Sequence, residues 1–243
     1  MRNNPQRLAW AVLSVAFVAF FFLAVSIPLG VRSYLLNASE EQDTQLQVIE
    51  GTVLVQKASG SDPIGVTDST TLAPGDEVIT DDMSWATLDL FERSHVTLYR
   101  EAHVKLERAE RPRFAFGDSA NEIVLGVTGG IVRVGVALPR EGTTAFRVST
   151  PHTQVDLEEG SYRIEVANEG TQVTVVRGQA SVGRGEAQTE IRQGTRTWVG
   201  LDGGPADPLP ASQNLVENGN FEQPLHTGWF TSTLLFTSTV KPP

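Results

Sequence analysis

The sequence predicts an all-β body of antiparallel strand pairs, stacked as a sandwich or short solenoid-like unit, preceded by one transmembrane helix. Three observations carry this. Leu8–Val31, LAWAVLSVAFVAFFFLAVSIPLGV, holds no charged residue. From Leu46 onward, apolar residues alternate with polar ones in many short runs. Those runs are punctuated by turns drawn from 22 glycines and 13 prolines, the pattern of a many-turned β fold.

The apolar run comes first. At about 1.5 Å per residue it crosses a hydrocarbon layer of about 30 Å with some tilt. A buried core helix would show a polar face, and this run has none. A cleaved signal peptide would have an apolar core of about 7–15 residues and then a small-residue cleavage site. The exit here is Ile27-Pro28-Leu29-Gly30, so an uncleaved anchor is expected. Arg2 and Arg7 precede the span; Arg32 follows it, and then Glu40, Glu41 and Asp43. The positive excess places residues 1–7 as a cytoplasmic stub, 8–31 as the helix in the lipid bilayer, and everything after as extracytoplasmic. Residues 32–43 read as a juxtamembrane linker. Asn37-Ala38-Ser39 matches a glycosylation acceptor, too common a pattern to carry weight.

Composition narrows the function. The chain has no cysteine, which removes a disulfide framework and thiolate metal sites. Its net charge of −10 argues against nucleic acid as a partner. About 200 residues follow the span, enough for one core and a tail.

The strands follow in order. Leu46 and Val48, then Val53 and Val55, alternate with polar neighbours on either side of Gly51, which puts one face in a core. Leu72-Ala73-Pro74-Gly75-Asp76 is a turn. Ala86, Leu88 and Leu90 form the next apolar face, with Trp85, Thr87 and Asp89 opposite. Val96 and Leu98 follow, then Val104 and Leu106. Arg108–Ser119 reads as irregular, interrupted by Pro112 and anchored by Phe114 and Phe116. Strands resume at Ile123–Val127, Ile131–Leu138, Phe146–Ser149, Val155–Leu157, Tyr162–Val166, Val173–Val176 and Ala180–Val182, and end with Thr189–Arg192 and Thr195–Val199. The expected core includes Leu46, Val48, Val53, Val55, Leu88, Leu90, Val96, Leu98, Val148, Ile164, Val166, Val173 and Val175. An internal echo, LQVIEGTVLV, LGVTGGIVRV and VTVVRGQASV, aligns on Gly51, Gly130 and Gly178. Each copy is a β-run, a glycine fit for a bend or bulge, and a second β-run. The unequal intervals exclude a regular solenoid.

These motifs, in this order, resemble the FecR-like domain, the extracytoplasmic module of the ferric-citrate regulator family. They are Val48-x-x-Gly51-x-Val53, Leu72-x-x-Gly75-Asp76-x-Val78-x-Thr80, Ser84-x-Ala86-x-Leu88-x-Leu90 and Val96-x-Leu98. They continue with Phe146-x-Val148-x-Thr150-Pro151, Gly160-Ser161-x-Arg163-x-Glu165-Val166, Val173-x-Val175-x-x-Gly178 and Gly194. The resemblance covers 44–201 and implies an extracytoplasmic β domain. Two details depart from the family. Its Asp-Gly-Ser turn after Leu90 is Glu92-Arg93-Ser94 here, and arginine tolerates positive φ poorly, so a different turn type is expected. The family's regulators of transcription also carry a sizeable cytoplasmic segment that holds a sigma factor, and residues 1–7 are too few for one, so the anti-sigma role is not carried over.

Residues 202–213 are a Pro/Gly-rich linker. Residues 214–243 contain Asn218-Gly219-Asn220-Phe221-Glu222 and Gly228-Trp229. They look like the opening of jelly-roll carbohydrate-binding modules, too short for the eight strands such a fold needs. Trp229 is the tentative sugar-binding residue this implies, with packing as the simpler role.

Catalytic patterns are absent from the sequence. His95, His103, His152 and His226 form no metal-ligand spacing and read as solvated or capping residues. Asp76, Asp81 and Asp82 lack the D-x-[DN]-x-[DN]-G pattern of a calcium loop and read as a solvated turn. No serine sits in a nucleophile elbow and no glycine loop precedes a phosphate-binding lysine. Glu158-Glu159 are adjacent, which does not supply a pair across a cleft. Arg100–Arg113 reads as a solvated charged excursion. No cofactor, no metal and no enzymatic activity are expected. The expected function is a noncatalytic binding, scaffold or sensor module at the cell envelope of a bacterium, with an envelope protein or polysaccharide as partner. Polysaccharide binding through the tail, and anti-sigma-type regulation through a partner, are the alternatives.

Overall fold

The computed structural model describes residues 5–42, 44–60, 62–113, 120–139, 142–184, 187–202 and 204–211. Helix α1 (Pro5–Asn37) is longer than its apolar run at both ends. Its last turn and strand β1 (Ser39–Glu41) occupy much of the segment read as a linker.

The body is built from short strands that turn back on one another. β2 (Thr44–Glu50), β3 (Val53–Gln56), β4 (Ile64–Val66), β5 (Ser69–Leu72) and β6 (Glu77–Ile79) come first. β7 (Trp85–Asp89), β8 (His95–Leu98) and β9 (His103–Pro112) lead into the long β10 (Asn121–Val136). β11 (Thr144–Ser149), β12 (Gln154–Leu157), β13 (Gly160–Ala167) and β14 (Gly170–Arg177) follow. β15 (Gln179–Arg184), β16 (Ala187–Arg192), β17 (Thr195–Gly200) and β18 (Leu209–Pro210) complete the described chain.

Hydrogen bonding sorts them into two sheets. The first runs β4-β3-β6-β9-β10-β11-β12-β15-β16, with β1 also on β9. The second runs β5-β2-β7-β8-β10-β13-β14-β17-β18. β10 belongs to both: Glu122–Gly129 pairs with β9, and Gly130–Val136 pairs with β13. The two sheets wrap one apolar core into a nearly closed, barrel-like body. All pairings are antiparallel except β10 with β11, which is parallel. β11 runs in the same direction as β10, with Asn121 opposite Thr144 and Gly126 opposite Ser149.

The sequence echo has a structural meaning. Gly51 joins β2 in the second sheet to β3 in the first, Gly130 lies where β10 changes sheet, and Gly178 joins β14 in the second sheet to β15 in the first. All three have positive φ, 81°, 79° and 91°. Each faces another corner at backbone contact. A Cβ on Gly51 would lie 2.6 Å from Ser84 Cβ. One on Gly130 would overlap the Glu101 carbonyl, and one on Gly178 would overlap the Glu159 carbonyl. Real Cβ atoms do not approach this closely, so these positions require glycine on two counts.

The core follows the alternation. Leu46, Val53, Val55, Leu88, Leu90, Val96, Leu98, Val148, Ile164, Val166, Val173 and Val175 are buried. Val48 is only half-buried, because the register of β2 against β7 shifts between Val48 and Glu50. One local expectation is corrected. Arg108–Pro112 is not irregular: it continues β9, paired with β1 and β10, with Ala109 fully buried. The turn after Leu90 has a left-handed backbone although it holds no glycine, with Glu92 at φ 57° and Arg93 at φ 63°. The tight closure of β7 onto β8, where Leu90 N–H donates to Ser94 O at 2.9 Å, overrides the local preference of both side chains. Phe114 and Phe116 lie outside the described residues.

Two substitutions test this account by urea denaturation of the detergent-solubilised chain. Gly130→Ala should cost about 3 kcal/mol, since it adds both a clash and backbone strain. Arg93→Gly should raise stability by about 1 kcal/mol by relieving a left-handed residue.

Candidate functional site

Of the three neighbouring aspartates, Asp76 and Asp81 hold turns together through hydrogen bonds, and Asp82 is an exposed bend residue. Asp76 is not a solvated turn residue; it is 2% exposed. Lys57 Nζ donates to its carboxylate at 2.8 Å, and the backbone N–H groups of Ala58 and Ala73 donate at 3.0 Å each. Burial alone would raise the pKa of Asp76, but the hydrogen bonds from Lys57, Ala73 and Ala58, and the charge of Lys57, together hold it below the ordinary value. Asp81 lies at the β6–β7 corner. It accepts from Met83 N–H at 2.9 Å and Ser84 N–H at 2.6 Å, while Ser84 Oγ accepts from Asp81 N–H at 2.9 Å. The hydrogen bonds to Ser84 and Met83 lower its pKa as well. Among the described residues no group of three or more acidic or histidine side chains could hold a metal ion.

His152 is also not solvated. Buried beside β14, its Nδ1 sits 3.0 Å from Thr171 Oγ1, which donates to Thr150 Oγ1 at 3.1 Å. This hydroxyl cluster closes the Thr150–Thr153 turn between β11 and β12, where Thr153 N–H donates to Thr150 Oγ1 at 3.0 Å. The Tyr162 hydroxyl ties the Gly178 corner together, 2.7 Å from the Gln179 carbonyl and 3.0 Å from that of Glu158. Burial raises its pKa.

The surface with functional character is the outer face of the second sheet. In β7, β8, β10 and β13 the inward positions are apolar, so the alternate positions project outward. Trp85 on β7 and Tyr99 just after β8 are neighbours on this face. Their rings are parallel within 1°, with centroids 6.5 Å apart, and Trp85 Nε1 donates to Glu50 Oε2 at 3.1 Å. Arg133 on β10 is the register partner of Thr97 and of Arg163. A groove of about 440 Å³ runs between these elements, lined by Trp85, Tyr99, Arg93, His95, Arg133 and Arg177 together with small residues. Among the described residues no carboxylate lines it. Gly135 on β10 and Ser161 on β13, register partners, also line it, and the His95 ring lies over Gly135.

A larger groove of about 820 Å³ lies along the same sheet near the Gly130 corner, where Trp198 and Arg100 stand among Asp82, Glu101 and Glu165. Its mixed charge makes it the less selective of the two. Trp229, the residue that the tail pattern suggested for sugar binding, lies outside the described residues, as does His226. The 440 Å³ groove was not assembled from the sequence. The available signal was Trp85, a large aromatic on the polar side of an alternating strand.

No family model matches the chain, and no curated protein matches it. Among solved structures, two crystal structures of a putative anti-sigma factor from Parabacteroides distasonis ATCC 8503, at 2.50 and 1.65 Å resolution, are similar to it in part. Both align with a TM-score of 0.43, at 17% and 16% identity, over 55% of this chain and 59% of that one. The likeness therefore spans little more than half of each chain.

The acid limb of stability should report Asp76. Its folded pKa is lowered, so its contribution is fully present above the unfolded value of about 3.9 and is lost as pH falls through the folded value. Asp76→Ala should cost about 2–4 kcal/mol at pH 7, because it strands buried donors. The loss should shrink below pH 4, as followed by urea denaturation across a pH series.

Proposed function

We propose that this chain is a membrane-anchored, noncatalytic module of FecR-like type, displayed on the extracytoplasmic side, where it binds a component of the cell envelope as a scaffold or sensor. The observation that carries the reading is helix α1. Val12–Arg32 is long and apolar enough to cross a membrane, and none of it is buried against the body. Trp10, Phe17, Phe20 and Phe22 are each about 70% exposed, and no polar face divides them. Such a helix is apolar all round and needs lipid on its whole circumference. The β-body contributes the binding surface, since its outer face carries aromatic and arginine side chains that the core does not use.

The orientation follows from Arg2 and Arg7 before the span and the acidic Glu40 and Glu41 after it. Because the chain has no cysteine, single introduced thiols report without background. Ser59→Cys, on the exposed turn after β3, should react with a membrane-impermeant maleimide in spheroplasts, and Asn4→Cys only after lysis. The opposite labelling pattern would overturn the orientation. Release of the protein by alkaline carbonate would overturn the anchor.

A further inference from the structure

We infer that the 440 Å³ groove on the second sheet is a binding site for an acidic sugar unit, carrying a carboxylate, within an envelope polysaccharide. This deepens the proposed binding role and rests on it. The charge pattern is the first support. The chain carries 29 acidic and 19 basic side chains, yet among the described residues the groove lining holds Arg93, Arg133, Arg177 and His95 and no acidic side chain, with Glu50 on Trp85 and Glu159 on Arg177 standing just outside it. Arg177 is shared with Glu159, at 2.9 Å. Arg133 makes no ion pair among the described residues; its Nε reaches only Ser161 Oγ, at 3.4 Å. A solvent-facing guanidinium without a carboxylate partner presents planar donors suited to an anion.

The shape supplies the second support. Trp85 and Tyr99 hold parallel rings beside the arginines, so a flat apolar surface borders a cationic one. A pyranose ring with an acidic substituent has this amphipathic character, its C–H face packing on aromatics and its anion meeting guanidinium. The floor fits as well. The His95 ring lies over Gly135, where a Cβ would come 2.7 Å from Nε2, so the imidazole forms part of the floor beside Arg133.

Peptide partners fit less well. β8, β10 and β13 are each paired on both sides, which leaves no free edge here for an added strand. An amphipathic helix would want an apolar groove, and this one is cationic.

Calorimetric titration of the full chain in nanodiscs tests the site with trigalacturonate, its methyl ester, galacturonate monomer and poly-glutamate. Expected is saturable binding of trigalacturonate, at least tenfold weaker for the methyl ester and for Arg133→Gln and Trp85→Ala chains of unchanged unfolding midpoint. Arg192→Gln, on the first sheet, should leave affinity unchanged. Monomer binding as tight as the trimer would assign a free acidic sugar and overturn the polysaccharide. Equal binding of poly-glutamate, an equal loss with Arg192→Gln, or no binding of trigalacturonate would overturn the site. Thiol labelling reads the anchor without any sugar, so a failed titration with correct topology retires the ligand and not the membrane reading.

Discussion

The structure depends on one constraint: a strand that leaves one sheet must enter the other without exposing its backbone. At each crossing two chain segments turn together, with their corners in contact. Gly51 meets Ser84, Gly130 meets Glu101, and Gly178 meets Glu159. The inner segment must bend with positive φ in a space that holds no Cβ, and only glycine satisfies both demands. Where the facing segment bends without glycine, as at Glu101 with φ 56°, its carbonyl abuts Gly130 while the residue is otherwise exposed. The paired bends let β10 serve both sheets, and that sharing produces one continuous core instead of two thin ones.

Buried polar groups fasten these corners. Thr80 Oγ1 lies 2.6 Å from the Tyr99 carbonyl and accepts from Ala102 N–H at 2.8 Å, which joins the β6–β7 corner to the β8–β9 corner. Tyr162 does the same where β13 begins, and Asp76 gathers the Lys57 and Ala73 segments. Each satisfies backbone groups that ladder hydrogen bonding leaves behind at a bend, and such groups are costly to strand in a dry interior. Tyr99 is held at its carbonyl by Thr80 while its ring lies against Trp85, so the corner that closes the core also sets the aromatic side of the groove.

Much of this was legible in the residues. Period-two alternation located the longer strands, because the core accepts one face of each and water accepts the other, while β1, β4, β5, β6 and β18 are too short to show it. The three glycines aligned before any geometry was known, since a bend between sheets leaves the same local signature each time. The parallel pairing of β10 with β11 was not legible, because pairing partners are chosen by the whole wrap and not by local pattern. Nor was the role of Asp76. A Pro-Gly-Asp turn looks solvated in sequence, and only the distant Lys57 and Ala58 reveal it as buried. The continuation of β9 through Pro112 was hidden by the charges of Arg108, Glu110 and Arg111. Arg108 bonds Glu122 across the strands at 2.7 Å, so outward charges there belong to a sheet face and not to a loop. The groove was illegible for the same reason as the pairing: Trp85, Arg133 and Arg177 come from three different elements.

The placement of tether and groove follows from the same topology. The chain enters the body from α1 through β1, which pairs with β9 on the first sheet. The groove lies on the outer face of the second sheet, where β7, β8, β10 and β13 present their alternate residues. The strand they share is β10, whose first half pairs with β9 beside the tether and whose second half carries Arg133. A second link is the chain itself: β1 is followed by β2 of the second sheet, which pairs with β7 and whose Glu50 accepts from Trp85 Nε1 at 3.1 Å, so the segment next to α1 and the proposed groove are joined through both β2 and β10.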